Sequence, residues 1–230
     1  MKIAIHQPNF MPWAGYFYKM ANSDVFVILD NVQYEKNAFL NRTMIKTPQG
    51  LQWLTVPIKT AGLCRQKIFE AEIQKKEQWQ KKYIKAIEMN YKKARYFNYL
   101  FPELKNILEK DWQFLSDLNI ALIELLRTKL GIKNKLEFAS KYNFSGESTD
   151  LLINVLKFFE ASVYLSGMGG KQYQDESKIK LAGIEVEYSN YVCVEYPQLW
   201  GKFIPNLSII DLLFNCGPES LKIILQNKKI

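Results

Sequence analysis

The sequence predicts an α/β fold: a mostly parallel sheet with flanking helices and a helical middle segment. Three observations carry this reading. Short β-rich apolar runs at 2–6, 25–29, 162–165 and 184–188 are separated by stretches of helical periodicity. Each of the first three runs ends at polar or glycine-bearing residues, namely His6-Gln7-Pro8, Asp30-Asn31 and Ser166-Gly167. Between about 75 and 131 the apolar residues recur at helical spacing without interruption by strands.

Taken in order, 2–6 reads as a buried strand, and Pro8 and Pro12 interrupt the segment after it. A helix is expected from Trp13 to Asn22, then the clearest strand, ending at Asp30. Residues 31–47 are polar and aromatic with no clean period. Pro48-Gln49-Gly50 is a turn, 51–57 a strand, and 67–73 a further strand. Trp79, Tyr83, Ala86, Ile87, Asn90, Tyr91 and Ala94 share one helical face, with the lysines on the others. A second helix should begin near Phe101-Pro102-Glu103, with proline at an early position. A third should run from Asp111 to Leu130 and stop at Gly131. Ser148-Thr149-Asp150 opens a helix to Glu160, and a strand then leads into Ser166-Gly167-Met168-Gly169-Gly170. A helix to Ala182, a strand, and a last helix capped by Ser208 complete the chain. Asp211, inside that apolar helix, reads as a buried partner for an N-terminal polar group or as part of a site.

The chain has 230 residues, 48% hydrophobic and 23% charged, which is ordinary globular usage. One domain over 1–230 is expected, with its helical segment at about 75–131. Three cysteines, no CxxC pair and a single histidine, His6, argue against a zinc site or a disulfide framework and for a reducing compartment. The N-terminal apolar stretch is too short for a signal peptide, and no apolar run reaches the ~18 residues of a bilayer span. A cytoplasmic protein without a transmembrane segment is therefore expected. The net charge is +8. From Lys75 to Arg95 seven lysines and one arginine stand against Glu77 and Glu88, and Lys228 and Lys229 add more charge near the end. Lysine commonly coats an amphipathic helix, and no nucleic-acid module is recognisable, so no specific nucleic-acid partner is expected.

In open parallel sheets ligands bind outside the carboxyl ends of the strands. His6, at such an end, is a candidate general base, or else a histidine that shapes the turn before Pro8. Gln7 and Asn9 offer amides for sugar hydroxyls or a reacting carbonyl, against turn hydrogen bonding. Asp30 is a candidate base or hydroxyl ligand, against a cap. Asn41 and Arg42 lie in a long polar segment, and the Arg42 fork would suit phosphate, against a surface ion pair. Tyr16 and Tyr34 are candidates for stacking on a base or sugar ring, whereas Trp13 suits the core. Ser166, Gly167, Gly169, Gly170 and Lys171 form a strand-to-helix turn whose N–H groups and charge would suit phosphate. The alternative is a turn that needs glycine for positive φ.

The segment from His6 to Phe17 resembles the opening of the WbqC-like family. The resemblance continues through 24–34, Asn41-Arg42, 53–57, 164–170 and 207–215, in order and over nearly the whole chain. It implies a role in bacterial surface-polysaccharide (O-antigen-type, lipopolysaccharide) biosynthesis. The implied activity is a transferase that acylates or aminoacylates an amino group on a nucleotide-linked sugar. It also implies Gln7, Pro8, Asp30, Gln33, Asn41 and Arg42 as site residues. The cofactor is left unknown, with an acyl thioester as a candidate donor. A basic face would suit an acidic acyl-carrier protein. Two other classes remain open: nucleotidyl or adenylyl transfer, whose paired histidines this chain lacks, and a non-catalytic binding or scaffold protein of the same pathway.

Overall fold

The computed structural model describes residues 1–36, 38–63, 65–75 and 78–226. Cys64, Lys76, Glu77, Lys228 and Lys229 lie outside the described residues. The chain runs β1 (Lys2–His6), α1 (Ala14–Ala21), β2 (Val25–Ile28), β3 (Arg42–Thr47), β4 (Gly50–Thr55), α2 (Trp79–Tyr91), α3 (Phe97–Leu108) and α4 (Leu115–Leu130). It continues through β5 (Lys135–Phe138), α5 (Ser148–Phe158), β6 (Val163–Gly167), α6 (Glu176–Leu181), β7 (Glu185–Ser189), α7 (Ile209–Cys216) and α8 (Ser220–Leu225).

Five strands form one sheet in the order β5-β2-β1-β6-β7. All four pairings are parallel, with Ile3 opposite Val25 on one side and Tyr164 on the other. The central strands are apolar at successive residues because both faces are covered. The pleat divides them. Ala4, Phe26, Ile28 and Leu165 join the larger core with α1, α2, α3, α4 and α7. Ile3, Ile5, Val25, Val27 and Tyr164 join the smaller core with α5 and α6. Among the described residues no helix is long and apolar enough to cross a membrane.

Sequence and structure differ in several places. The stretch 31–47 contains β3, which pairs antiparallel with β4 from Arg42–Thr55 to Thr47–Gly50. Its alternation is hidden because Thr43, Lys46 and Thr47 are among its buried residues. Residues 67–73 do not form a strand. Ile68–Glu70 is a single 3-10 turn flanked by isolated bridges, and the Glu70 carboxylate accepts the Lys67 N–H at 2.8 Å. α3 begins at Phe97, earlier than the proline suggests. α4 begins at Leu115 rather than Asp111, because Glu72 pairs with Phe114 and Ile73 N–H donates to the Gln113 carbonyl, which holds 113–114 extended. β5 is an edge strand of only four residues, Lys-Leu-Glu-Phe, too short to stand out by pattern.

The other expected elements form. α2 buries Trp79, Tyr83, Ile87 and Tyr91 and turns Lys81, Lys82 and Lys85 outward, as Lys92 and Lys93 are just beyond its end. Asp211 is a structural partner, though not of an N-terminal group. Its carboxylate accepts the hydroxyls of Tyr91 at 2.8 Å and Tyr196 at 3.0 Å. Tyr91 Oη in turn accepts Lys46 N–H at 3.0 Å, which ties β3, α2 and α7 together.

Candidate functional site

α1 crosses from β1 to β2 on the larger-core face, and α6 crosses from β6 to β7 on the other. The crossovers therefore part between β1 and β6. At such a switch point a crevice opens at the carboxyl ends of the strands. A cavity of about 500 Å³ lies there. His6 and Gln7 follow from β1, Leu29 and Val32 from β2, and Gly167, Gly169 and Gly170 from β6. The first turns of α5 close one side, and Glu35, Tyr164 and Tyr173 complete the wall.

The loop after β1 is held from several directions. Asn119 Nδ2 donates to the carbonyls of Pro8 at 2.7 Å and Leu40 at 2.8 Å. Thr43 and Ser208 hydroxyls both donate to the Met11 carbonyl, at 3.0 and 2.8 Å. This scaffolding presents His6 and Gln7 to the cavity, while Asn9 is buried in the loop.

His6 Nδ1 lies 3.1 Å from the Gln7 carbonyl. A carbonyl only accepts, so this contact places the proton of the neutral ring on Nδ1 and leaves the Nε2 lone pair free. Burial, and secondarily the charge of Lys19, lowers its pKa from 6.5 to about 3. Lys19 is the residue that sequence reasoning missed. It sits one α1 turn beyond the Gly15-Tyr16 pair, only 4% exposed, and donates from Nζ to the Ile5 carbonyl at 2.8 Å. Burial lowers its pKa from 10.5 to about 7. It forms no ion pair among the described residues, and the carboxylate of this cavity, Glu35, stands exposed. A lysine in an otherwise apolar helix face was the available signal, but Lys19 resembles the many solvated lysines of this basic chain.

The glycine-rich segment is a 3-10 turn over Met168–Gln172. None of Gly167, Gly169 and Gly170 has positive φ. Space, not backbone handedness, explains Gly170: a Cβ there would lie 2.4 Å from Ser166 Oγ and 2.7 Å from Gln174 Oε1. A Cβ at Gly167 or Gly169 would meet nothing within 4 Å, because both border the cavity. Ser166 is a structural link, since its buried hydroxyl donates to Gln174 Oε1 at 3.0 Å. Gln174 Nε2 donates to Tyr188 Oη at 3.0 Å, and Tyr188 donates to Glu176 at 2.8 Å. Lys171 lies over the Tyr188 ring at 4.5 Å.

The remaining sequence candidates fall elsewhere. Asp30 is 2% exposed and faces a separate cavity of about 540 Å³ with Asp117 and Lys141. There it accepts Ser140 N–H at 2.8 Å and Ser140 Oγ–H at 2.6 Å. Asn41 donates to the Val56 carbonyl at 2.9 Å. Arg42 stacks its guanidinium over Trp53 at 4.4 Å on the hairpin. Tyr34 is buried, and burial pushes its hydroxyl up to about 12. Gln33 lies on the cavity rim, and the Tyr16 ring packs tilted against His6 with centroids 4.7 Å apart. The structure thus gathers His6, Gln7, Gln33, Gly167, Gly169 and Gly170 at one cavity, brings Tyr16 against His6, and leaves Asp30, Asn41 and Arg42 apart.

This is an α/β protein with a ligand-sized cavity at the switch point of a parallel sheet. The chain belongs to the WbqC-like protein family, whose profile matches residues 7–223. It is 40% identical over 221 residues, 95% of each chain, to the uncharacterized protein Rv1507c of Mycobacterium tuberculosis. No solved structure matches the chain.

Proposed function

We propose that the protein is a transferase of bacterial surface-polysaccharide biosynthesis that acylates or aminoacylates an amino group on a nucleotide-linked sugar, and that Lys19 is its general base. One observation supports this above the rest: a buried lysine with a pKa lowered to about 7 stands beside the chain's single histidine, without a carboxylate partner among the described residues, in the switch-point cavity. A base works best with a pKa near the operating pH. By the same standard His6, held neutral down to about 3, is better suited to accept a hydrogen bond from the substrate than to take its proton.

In the proposed reaction the amine lone pair attacks the acyl carbonyl carbon of a thioester. The C–N bond forms as the C–S bond breaks. The proton leaving nitrogen goes to neutral Lys19 Nζ and from there to the departing thiolate. His6 Nε2 orients the amine, and the Gln7 carboxamide meets the acyl oxygen. Arg42 does not line this cavity, and its guanidinium lies over Trp53 on the hairpin, so the reaction is written without it.

The test is a thermal-stability screen with UDP-linked amino sugars, acyl-coenzyme A thioesters and Mg-ATP. A ligand at 100 times its Kd adds about 2.7 kcal/mol. The expected result is a rise in Tm with the amino sugar or the thioester that disappears in Lys19→Met. A rise with Mg-ATP alone would overturn the proposal in favour of nucleotidyl transfer.

A further inference from the structure

A second, smaller hollow of about 260 Å³ also has Lys19 in its wall. The two share four lining residues, His6, Lys19, Gly167 and Gly169. Beyond that shared wall they differ in chemistry. The larger joins an aliphatic patch of Ile5, Leu29, Val32, Leu151 and Leu152 to a polar rim that includes Gln7, Gln33 and Glu35. The smaller is aromatic, with Trp13, Tyr16 and Tyr191, plus Met168 and Ser189.

The aromatic wall is built rather than incidental. Trp13 and Tyr191 pack edge to face with centroids 5.5 Å apart, and Tyr191 also meets Tyr18 at 5.2 Å. Gly15 is required for it, because a Cβ there would stand 2.3 Å from the Trp13 ring. The hydroxyl of Tyr16 is buried and finds no hydrogen-bond partner among the described residues.

A group-transfer enzyme must bring two substrates together at one point. Two hollows that meet only at a buried base, a histidine and two glycines have that form. Resting on the transferase reading above, we infer that the small hollow is the acceptor subsite, taking the pyranose ring of the amino sugar with its amine toward Lys19, and that the larger cavity takes the acyl donor. Aromatic faces suit the C–H face of a sugar ring, and a volume near 260 Å³ is below that of a typical drug-sized pocket, so a single ring fits and a nucleoside remains outside. The aliphatic patch of the larger cavity suits an acyl chain, and its polar rim the amides of a thioester carrier.

The experiment measures binding of methyl 2-amino-2-deoxyglucoside and of acetyl-coenzyme A by saturation-transfer NMR titration. It compares the full chain with Tyr191→Ala, which touches only the small hollow, and Tyr173→Ala, which touches only the large one. Tyr173 is 70% exposed, so its truncation leaves the core intact. Tyr191→Ala is expected to weaken the glucoside about tenfold and leave the thioester within twofold, the stacking contribution converted at tenfold per 1.4 kcal/mol. Tyr173→Ala should do the reverse. Gly169→Val, which meets no protein atom at its Cβ, should weaken both with an unchanged Tm. Glucoside binding that is indifferent to Tyr191→Ala but lost in Tyr173→Ala overturns the subsite assignment alone. Adenosine binding in the small hollow, lost in Tyr191→Ala, overturns the choice of a sugar ring. Binding of neither ligand to the unaltered chain overturns the transferase reading itself.

Discussion

Two buried polar regions of this molecule are built to opposite rules. Around Asp211, each carboxylate oxygen accepts a tyrosine hydroxyl. Nearby, buried Lys46 donates from Nζ to Gln198 Oε1 and the Lys202 carbonyl, at 3.0 and 2.6 Å. Burial raises the Asp211 pKa, while the two phenols and the Lys46 charge pull it back. Around Lys19, by contrast, a buried ammonium has one carbonyl partner, an adjacent histidine and no counter-ion among the described residues, and the Tyr16 hydroxyl is unpaired. The first region is satisfied from within and stabilises the junction of hairpin and helices. The second is satisfied only incompletely, at a cost to stability, and that deficit is what a ligand can fill.

The largest effect expected from this contrast is at Asp211. Asp211→Ala strands two buried phenols and should cost about 3–5 kcal/mol in urea denaturation at pH 7, with Asp211→Asn recovering part of it. A loss below about 1 kcal/mol would break the comparison.

Lys19 should show the opposite sign. Between pH 7 and 10.5 the unfolded chain holds a proton on Lys19 that the folded chain releases, so stability rises with pH across that window. Below pH 7 both states are protonated and the cost is fully present. Lys19→Met should therefore stabilise the protein by about 2 kcal/mol at pH 7, after losing one hydrogen bond, with a gain that shrinks toward pH 10. A pH-independent change would show that Lys19 is not destabilised by burial.

His6 sharpens the same contrast at acid pH. Between 6.5 and about 3 the unfolded state binds the proton and the folded state resists it, so stability falls as pH drops through that window. At pH 5 this amounts to about 2 kcal/mol at most, and His6→Gln should remove that part of the acid slope. An unaltered slope would count against an imidazole held neutral at the cavity wall.

The smallest effects separate two neighbouring glycines. Gly170→Ala forces apart Ser166 and Gln174 and should cost about 1–3 kcal/mol. Gly169→Ala should change stability by less than about 0.5 kcal/mol. Equal losses in thermal melts would place Gly169 in the structure rather than at the cavity.

The apolar runs at 2–6, 25–29 and 162–165 made the parallel sheet legible, since a strand buried on both faces cannot avoid a continuous apolar pattern. The strand-end rule then located the cavity at His6, Gln7 and Gly167. The hairpin strand β3 was not legible, because its buried positions include Thr43, Lys46 and Thr47, so polar residues stand where an apolar alternation would be sought. Asp30 looked equivalent to His6 by position, yet it follows β2 and turns to the cavity that β5 and α4 enclose.

By itself, then, the sequence determined the fold class, the family and the end of the sheet at which polar groups collect, because these follow from local periodicity and from the order of motifs along the chain. Tertiary structure alone decided which lysine of many is stripped of solvent, which hydroxyls are left without partners, and which strand-end residues face the same cavity. Those properties depend on desolvation and on groups distant in sequence, such as Lys19 against Ile5 and Gly169 and Asp211 against Tyr91, and neither leaves a mark in the local pattern of residues.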